Sequence, residues 1–549
     1  MSLKFIALSG TVSVTENLYV YEYKDQMMVV DCGVGFPDLE MRGVDLVIPD
    51  FSYIVKNRNK LKGVIVSQGH EDHIGALPFL LREVKTSIWA PPLVTAFLDD
   101  KFKDYGIDGV TINTFDPNNS SFSVGVFRVQ PFRVTHSVPD AVGFSIDTPE
   151  GRVFHVPEHK MRQDPVDGMP FDTKRAKELG EKKVLFLASD CLGANKPGYT
   201  IGERHIEESI ENIVTNSKNA VFFTAISSNI GRFQQAINVA IKTGRKAVYV
   251  GRSVQKKCEM AKELGYLKYP DNAVVSFGKA RNLPRNKLMY IIAGCYGQVG
   301  SSLYRISLNE HRQLHAETGD ALIFSADPAP PYTKESEDYV IDNFIDMGVD
   351  VHYYDLKEDL YVSGHGSQED IVELFKITNP QYFIPIGGTV RFMHSYKKLA
   401  QGFGAKGSDV FIMKPGDSVI FSGGKARRGE KLAVKEVLVD GLGIGDVGKV
   451  VLSDRKTLSQ HGTAVVIIKI NSKTKRAVGK PEIVSRGFVF EKASKKLLNQ
   501  SIQKLGVRIS KEGKLDRKNI EKIAVNYLEQ FFFEKTGRRP MIIPVIVEV

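Results

Sequence analysis

Residues 17–31 (NLYVYEYKDQMMVVD) alternate apolar and polar positions, then run into a continuous apolar stretch after a polar turn, which predicts two short strands forming a hairpin. VDLVIPD follows, then KGVIVSQ as a strand ending at Gln68, the loop GHEDHIG, and an apolar helix from Ala76 to about Leu81. The segments SIWAP, FRVQPF, GFSID, RVFHV and KVLFLAS read as further short strands. Their ends open into loops, the place where layered α/β folds carry catalytic groups.

From Ile206 the rhythm changes to strand, helix, strand. NAVFFTAIS, a helix through FQQAINVAIKTG, KAVYVG, a second helix, LMYIIAG and ALIFSA make a parallel βαβ pattern. Short strands and polar loops (VSGHGS, YFIPIGG) return near residue 350, so the βαβ segment reads as an insertion. GGKARRGE and DGLGIGDVG read as linker. The last module carries the strands GTAVVIIKIN and IIPVIVEV and the amphipathic helices KLLNQSIQKLG and DRKNIEKIAVNYLEQFFFEK.

A length of 549 residues suits three to four domains of about 150 residues each. The 42% hydrophobic and 25% charged composition is that of a globular chain and excludes disordered, collagen-like and disulfide-scaffold classes. Cys32, Cys191, Cys258 and Cys295 lie far apart with no C-x-x-C pair, so neither a disulfide framework nor a thiolate zinc site is indicated, and a reducing cytoplasm fits. MSLKFIALSGTVSV lacks the long apolar region of a signal peptide, and no apolar run approaches about 18 residues, which predicts a cytoplasmic protein with no membrane anchor. Charge is one-sided: residues 421–549 hold 27 Lys and Arg against 13 Asp and Glu, an excess of 14, which leaves −4 on the first 420 residues of a chain of net +10. Such a segment suits a polyanion and equally a solvated Lys-rich face.

The densest chemical signal is His70-Glu71-Asp72-His73, directly after a strand. Two imidazoles and a carboxylate within four positions can aim nitrogen and oxygen ligands at one or two metal ions. His136 in RVTHSVPDAVG stands at another strand end, followed by Glu158 in VFHVPEHK, which His155 and His159 flank as surface groups or hydrogen-bond partners. Asp190 in FLASDCLG and His365 in VSGHGS also follow apolar strands, where a carboxylate and an imidazole could orient water or protonate a leaving oxygen.

The strings VDCGVGFPD, VDLVIPD, GHEDHIGALPFLL, HSVPDAVGF, TPEGRVFHV, PVDG, PGYT, GRSV, FSADP, SGHGSQE, YFIPI, SRGFVFE and RRPMIIPVIVEV resemble ribonuclease J over nearly the whole chain. The resemblance implies a metallo-β-lactamase αββα sandwich with an inserted β-CASP α/β domain and a small C-terminal α+β domain. The layout is then 1–205 and 346–424 for the lactamase-like core, 206–345 for β-CASP, 425–450 as linker and 451–549 as the C-terminal domain. Members of that family are two-zinc ribonucleases acting 5′→3′ and internally.

Carried over residue by residue, the resemblance implies His70, His136 and Glu158 at one metal and Asp72, His73 and Glu158 at the other. Three expected ligands are replaced: the first His of H-x-H-x-D-H is Gln68, the bridging Asp is Glu158, and the last His is Gly387. The family's G-E-I-G-K-N loop is Val12-Ser13-Val14-Thr15-Glu16-Asn17. The resemblance further implies that Asp72 acts on the attacking water and that His365 with Asp190 assists the leaving oxygen. Ser228, Arg232, Ser363, His365 and Ser367 are its implied contacts to RNA and its 5′ phosphate. The expected cofactor is Zn2+, reduced by the missing ligands to a single ion, to Mn2+, or to none. The expected function is ribonuclease J-like RNA processing with catalysis weakened or lost, the alternative being an inactive RNA-binding subunit of an active ribonuclease J. The expected partners are RNA and a second chain, as a homodimer or as a hetero-oligomer with an active ribonuclease J, with no membrane. A small-ester hydrolase would leave the insertion and the last module without a purpose.

Overall fold

The computed structural model describes every residue except Leu39, Arg162, Gln163, 327–332, Lys357, Leu442, 490–493 and 512–515. Parts of the strings FSADP and SRGFVFE and of the linker reading DGLGIGDVG therefore lie outside the described residues. The chain forms two compact units, Met1–Phe36 with Leu46–Val437, and Pro37–Asp45 with Leu438–Val549.

The larger unit is built on two stacked sheets. Eight strands run in the order Lys425–Arg428, Ser418–Ser422, Leu3–Ala7, Tyr19–Tyr23, Gln26–Val30, Leu61–Ile65, Ile88–Ala90, Ile112–Thr114, antiparallel up to Gln26–Val30 and parallel beyond. Six more run Pro380–Ile386, Val184–Asp190, Gly151–Val156, Val142–Thr148, Phe127–Arg133, Phe122–Val124, the first three parallel. Phe5, Tyr21, Phe127, Phe144, Phe186 and Phe421 fill the space between the sheets, with Phe186 stacked on Phe421 at 4.5 Å. Val184–Asp190 is buried along its whole length, as an apolar run covered on both faces must be. The outer face of the six-stranded sheet is covered by the helices Thr173–Gly180, Gln368–Thr378 and Val390–Gly402 through Leu179, Leu374, Phe375, Met393 and Tyr396.

The inserted sheet is wholly parallel, in the order Lys246–Val250, Leu288–Ile292, Val221–Thr224, Ala321–Phe324, Asp350–His352. Its edge strand, Asp350–His352, lies past residue 345 and pairs with Ala321–Phe324. Residues 425–450 contain short regular elements. Lys425–Arg428 pairs with Ser418–Ser422, Val437–Asp440 pairs with Gly443–Ile444, and a helix begins at Lys449. In the loop GHEDHIG the structure has one helical turn, Glu71–Ile74. After SIWAP a helix, Pro92–Tyr105, buries Leu93, Val94, Phe97, Leu98 and Phe102 and stops at Gly106, whose φ of 64° a Cβ would resist.

The smaller unit places Glu482–Arg486, Thr463–Ile470 and Met541–Glu548 in one sheet, with Val466 and Ile468 packed against Leu505, Leu528 and Phe532 from the helices Lys495–Lys511 and Arg517–Thr536. No described helix in either unit is long and apolar enough to cross a membrane.

Candidate metal centre

Parallel strands deliver the site. Gln26–Val30 and Leu61–Ile65 lie side by side and release Asp31 and Ser67–Gly69 at one edge, while Gly151–Val156, Val184–Asp190 and Pro380–Ile386 release Glu158, Asp190 and Gly387. Carboxyl ends of parallel strands are where open α/β sheets bind ligands. Asp31 sits in the left-handed region at φ 59° and is held there by three donors: Ser67 N at 2.8 Å, Ser67 Oγ at 2.7 Å and His73 Nδ1 at 2.8 Å. Gly33 is obligatory, because a Cβ there would stand 1.6 Å from the carbonyl oxygen of Asp72.

Among the described residues, Asp72, His73 and Glu158 form the one group of three whose ligand atoms all lie within 4.8 Å of one another. His73 Nε2 stands 3.5 Å from Asp72 Oδ2 and 3.3 Å from Glu158 Oε1. Asp31 at Nδ1 fixes the ring so that Nε2 faces the group, the carboxylate–imidazole support common behind metal ligands. Without a cation, burial pushes the His73 imidazole down, but Asp72, Asp31 and Glu158 outweigh it and raise it well above the usual range. Burial would raise the Glu158 carboxyl, yet His136, His73 and His365 hold it well below. Two carboxylates and an imidazole fit one divalent cation.

A neighbouring second position is not furnished in the same way. Gln68 turns its amide nitrogen onto Glu158 Oε2, while its Oε1 accepts His70 N at 3.0 Å, so the oxygen that could have met a metal caps the backbone instead. His136 Nε2 takes the same Glu158 oxygen at 2.7 Å, and its Nδ1 meets the Gly364 carbonyl at 2.9 Å. His70 lies outside the group. Its Nδ1 meets Ser228 Oγ at 2.5 Å, its Nε2 meets Ser137 Oγ at 2.7 Å, and burial beside His136 lowers its pKa well below the usual value. Gly387 has φ 66°, and a Cβ there would have ordinary contacts with Pro157 O and Asp190 Oδ1 at 3.6 and 3.7 Å, so the place of the missing side chain is open.

On the far side of Glu158, His365 pairs through Nδ1 with Asp190 Oδ2 at 2.7 Å, and its Nε2 stands 3.9 Å from Glu158 Oε1. Burial lowers the ring's pKa, but Asp190 and then Glu158 lift it to about 9, which keeps it protonated near neutrality. Of the five residues expected to touch RNA, Ser363 and His365 are half-buried. The other three lie inside the fold. Arg232 is 1% exposed, with its guanidinium on Ser325 Oγ, the Leu360 carbonyl and Glu203. Ser228 is committed to His70, and Ser367 caps the helix Gln368–Thr378. Arg232 and Ser367 hold buried partners of their own, and leaving these would strip buried groups of their hydrogen bonds. His155 and His159 are buried, not surface groups; His155 Nδ1 meets Tyr21 OH at 2.9 Å.

Reading the sequence passed over Asp31 and Ser137 and placed Asn17 only in the loop matched to G-E-I-G-K-N. Asp31 had a signal, an acidic residue directly after an apolar strand in VVDCG. The four cysteines are free and buried.

The Beta-lactamase superfamily domain model matches residues 27–215, the Ribonuclease J beta-CASP domain residues 218–344, and the Ribonuclease J C-terminal domain residues 450–549. Ribonuclease J2 of Bacillus subtilis (strain 168) is 33% identical over 555 residues, covering 100% of this chain and 99% of its own. Ribonuclease J 1 of Streptococcus pyogenes serotype M3 is 34% identical over 545 residues, covering 98% and 97%. Ribonuclease J 2 of Staphylococcus aureus (strain NCTC 8325) is 32% identical over 552 residues, covering 100% and 98%. Among solved structures, a protein of unknown function from Enterococcus faecalis V583 shares the fold over 76% of this chain and 100% of its own, with a TM-score of 0.55 at 14% identity. With the two sheets, the inserted parallel domain and the last module all in place, the chain belongs to the ribonuclease J family.

Proposed function

We propose that the protein is an RNA-processing member of this family whose two-metal hydrolytic centre is dismantled to one cation position, so that it binds RNA and cuts it slowly or not at all. The observation that carries this reading is the Gln68 amide turned onto Glu158, with no side chain at Gly387 to compensate. Asp72, His73 and Glu158 would hold the remaining ion, Zn2+ or Mn2+, which when bound supplies positive charge against a developing phosphoryl charge. The chain's own groups supply the rest. Ser363 and His365 face the RNA backbone, Asp72 orients water, and His365, kept protonated by Asp190, gives its proton to the leaving oxygen.

Missing ligands at a two-metal site weaken ion affinity by orders of magnitude, since even outer-shell losses cost about 10- to 100-fold. Turnover should therefore fall far below that of a complete centre. RNA retention without turnover suits a subunit that pairs with a second ribonuclease J chain, of its own kind or an active one, in the cytoplasm.

The test is hydrolysis of a 5′-monophosphorylated, 3′-labelled RNA by the purified full chain with added Zn2+ or Mn2+, beside a His70→Ala/His73→Ala control. We expect retention of the RNA with cleavage at or near the control. Robust cleavage that the control abolishes would overturn loss of catalysis, and absence of RNA binding would overturn the RNA reading.

A further inference from the structure

Asn17, 2% exposed, lies directly over the Asp72–His73 pair. Its backbone is fixed on both sides: Asn17 N donates to the Asp72 carbonyl at 3.0 Å, and Asn17 O accepts Gly33 N at 3.0 Å. Its Nδ2 stands 3.1 Å from His73 Nε2, 3.3 Å from Asp72 Oδ2 and 3.2 Å from Asp72 O. Those spacings match the 3.3 and 3.5 Å that separate His73 Nε2 from Glu158 and Asp72. They are also about the ligand–ligand edge around a cation held at roughly 2.1 Å. The amide terminus therefore stands at ligand spacing from His73 and Asp72 and presents nitrogen to them.

The other end of the amide meets Tyr19. The Tyr19 hydroxyl lies 2.8 Å from Asn17 Oδ1 and 2.8 Å from the Gly10 carbonyl oxygen. Both contacts ask it to donate, and a phenol has one proton, so one of the two oxygens faces it without a hydrogen between. A half-turn of the amide removes the conflict. Tyr19 O–H then donates to Gly10 O, Asn17 Nδ2–H donates to the Tyr19 oxygen, and Asn17 Oδ1 faces His73 and Asp72. Rotation about a terminal amide torsion is broad and roughly two-fold, so the turn needs no backbone movement. Without a cation, that orientation would set Oδ1 against the Asp72 carboxylate, while the present one sets Nδ2 beside His73 Nε2.

We propose that Asn17 is the fourth ligand of the cation position, its amide turning to present Oδ1 when a divalent ion enters, with Tyr19 receiving the freed Nδ2–H. This deepens the single-cation reading above and rests on it. Three oxygens and one imidazole nitrogen make an oxygen-rich set of the kind Mn2+ takes.

The probe is Mn2+ alone, titrated into the full chain and followed by electron paramagnetic resonance of the free ion, for wild type, Asn17→Ala, Asn17→Asp, Tyr19→Phe and Asp72→Asn, with circular dichroism confirming the fold of each. We expect one Mn2+ per wild-type chain and loss of binding in Asp72→Asn. Asn17→Ala should bind about 10-fold or more weakly, Tyr19→Phe should weaken binding less, and the isosteric Asn17→Asp should bind at least as tightly as wild type. Asn17→Ala and Asn17→Asp both binding as wild type, while Asp72→Asn does not, would overturn the ligand role of Asn17 and leave the three-ligand site standing. Wild-type uptake that Asp72→Asn does not reduce, or no uptake, would overturn both.

Discussion

Three imidazoles, His73, His136 and His365, crowd the single carboxylate of Glu158, and their fates differ because their second partners differ. His365 has Asp190 behind it and is raised from 6.5 to about 9. The folded state therefore holds this proton more tightly than the unfolded chain does. Its contribution to stability is complete below about pH 6.5 and is lost as pH rises through about 9; a shift of that size corresponds to roughly 3 kcal/mol. Asp190→Asn should return His365 toward the ordinary range and flatten the loss of stability between pH 6.5 and 9, measured by denaturant unfolding across pH and by the ring-proton NMR titration of His365. A titration midpoint unchanged in Asp190→Asn would remove Asp190 from its role. At this scale the sequence was readable where ligands are neighbours in the chain, as in His70-Glu71-Asp72-His73. It was not readable for Asn17, which reaches Asp72 across 55 positions through the pairing of separate segments. Arg232 had a signal that the motif reading outweighed: with Gln235, Ala236 and Val239 it falls on the buried stripe of its helix.

Ser367 and Asp370 open the helix Gln368–Thr378 with a reciprocal capping box, and Asp370 does more than cap. Its carboxylate accepts Met161 N at 2.7 Å, Thr200 N at 2.8 Å and Ser367 N at 2.9 Å, so one side chain ties three loops near the centre to one helix end. Ser367→Ala removes one cap bond and should cost about 1 kcal/mol. Asp370→Ala leaves several buried N–H groups without acceptors and should cost on the order of 3–5 kcal/mol. Urea unfolding of the two variants checks the ranking, and equal losses would show that Asp370 is only a cap. Elements with strong periodicity were legible: the hairpin Tyr19–Tyr23 and Gln26–Val30, the buried run Val184–Asp190 and the long last helix all follow from pattern. The strand Lys425–Arg428 was not, because its four residues KARR carry no apolar alternation and become a strand only by pairing with Ser418–Ser422. Nor was Asp350–His352, three residues long and decided by its neighbour Ala321–Phe324.

Over the whole molecule, the positive excess of 14 on residues 421–549 against −4 elsewhere is the feature that composition alone made plain. A chain that holds single-stranded RNA through about five phosphates should show log affinity falling with log salt at a slope near −3.5, or about 100-fold between 50 and 200 mM. Fluorescence anisotropy of a labelled RNA across that range measures it, and a flat response would mean that the basic segment serves solubility and not RNA. The layout of the larger unit has one further consequence. Val184–Asp190 pairs with Pro380–Ile386, and Leu3–Ala7 pairs with Ser418–Ser422, so both principal sheets are closed by strands encoded after the insertion. During synthesis at roughly 5–20 residues per second, an emerging chain waits about 10–40 s between those first two partners with an unpaired apolar edge, while the parallel strands of the insertion can already assemble. The nascent protein is thus most vulnerable to misassembly on the side where Glu158 and Asp190 await Gly387, and the eight-stranded sheet is completed later still, when Ser418–Ser422 reaches Leu3–Ala7.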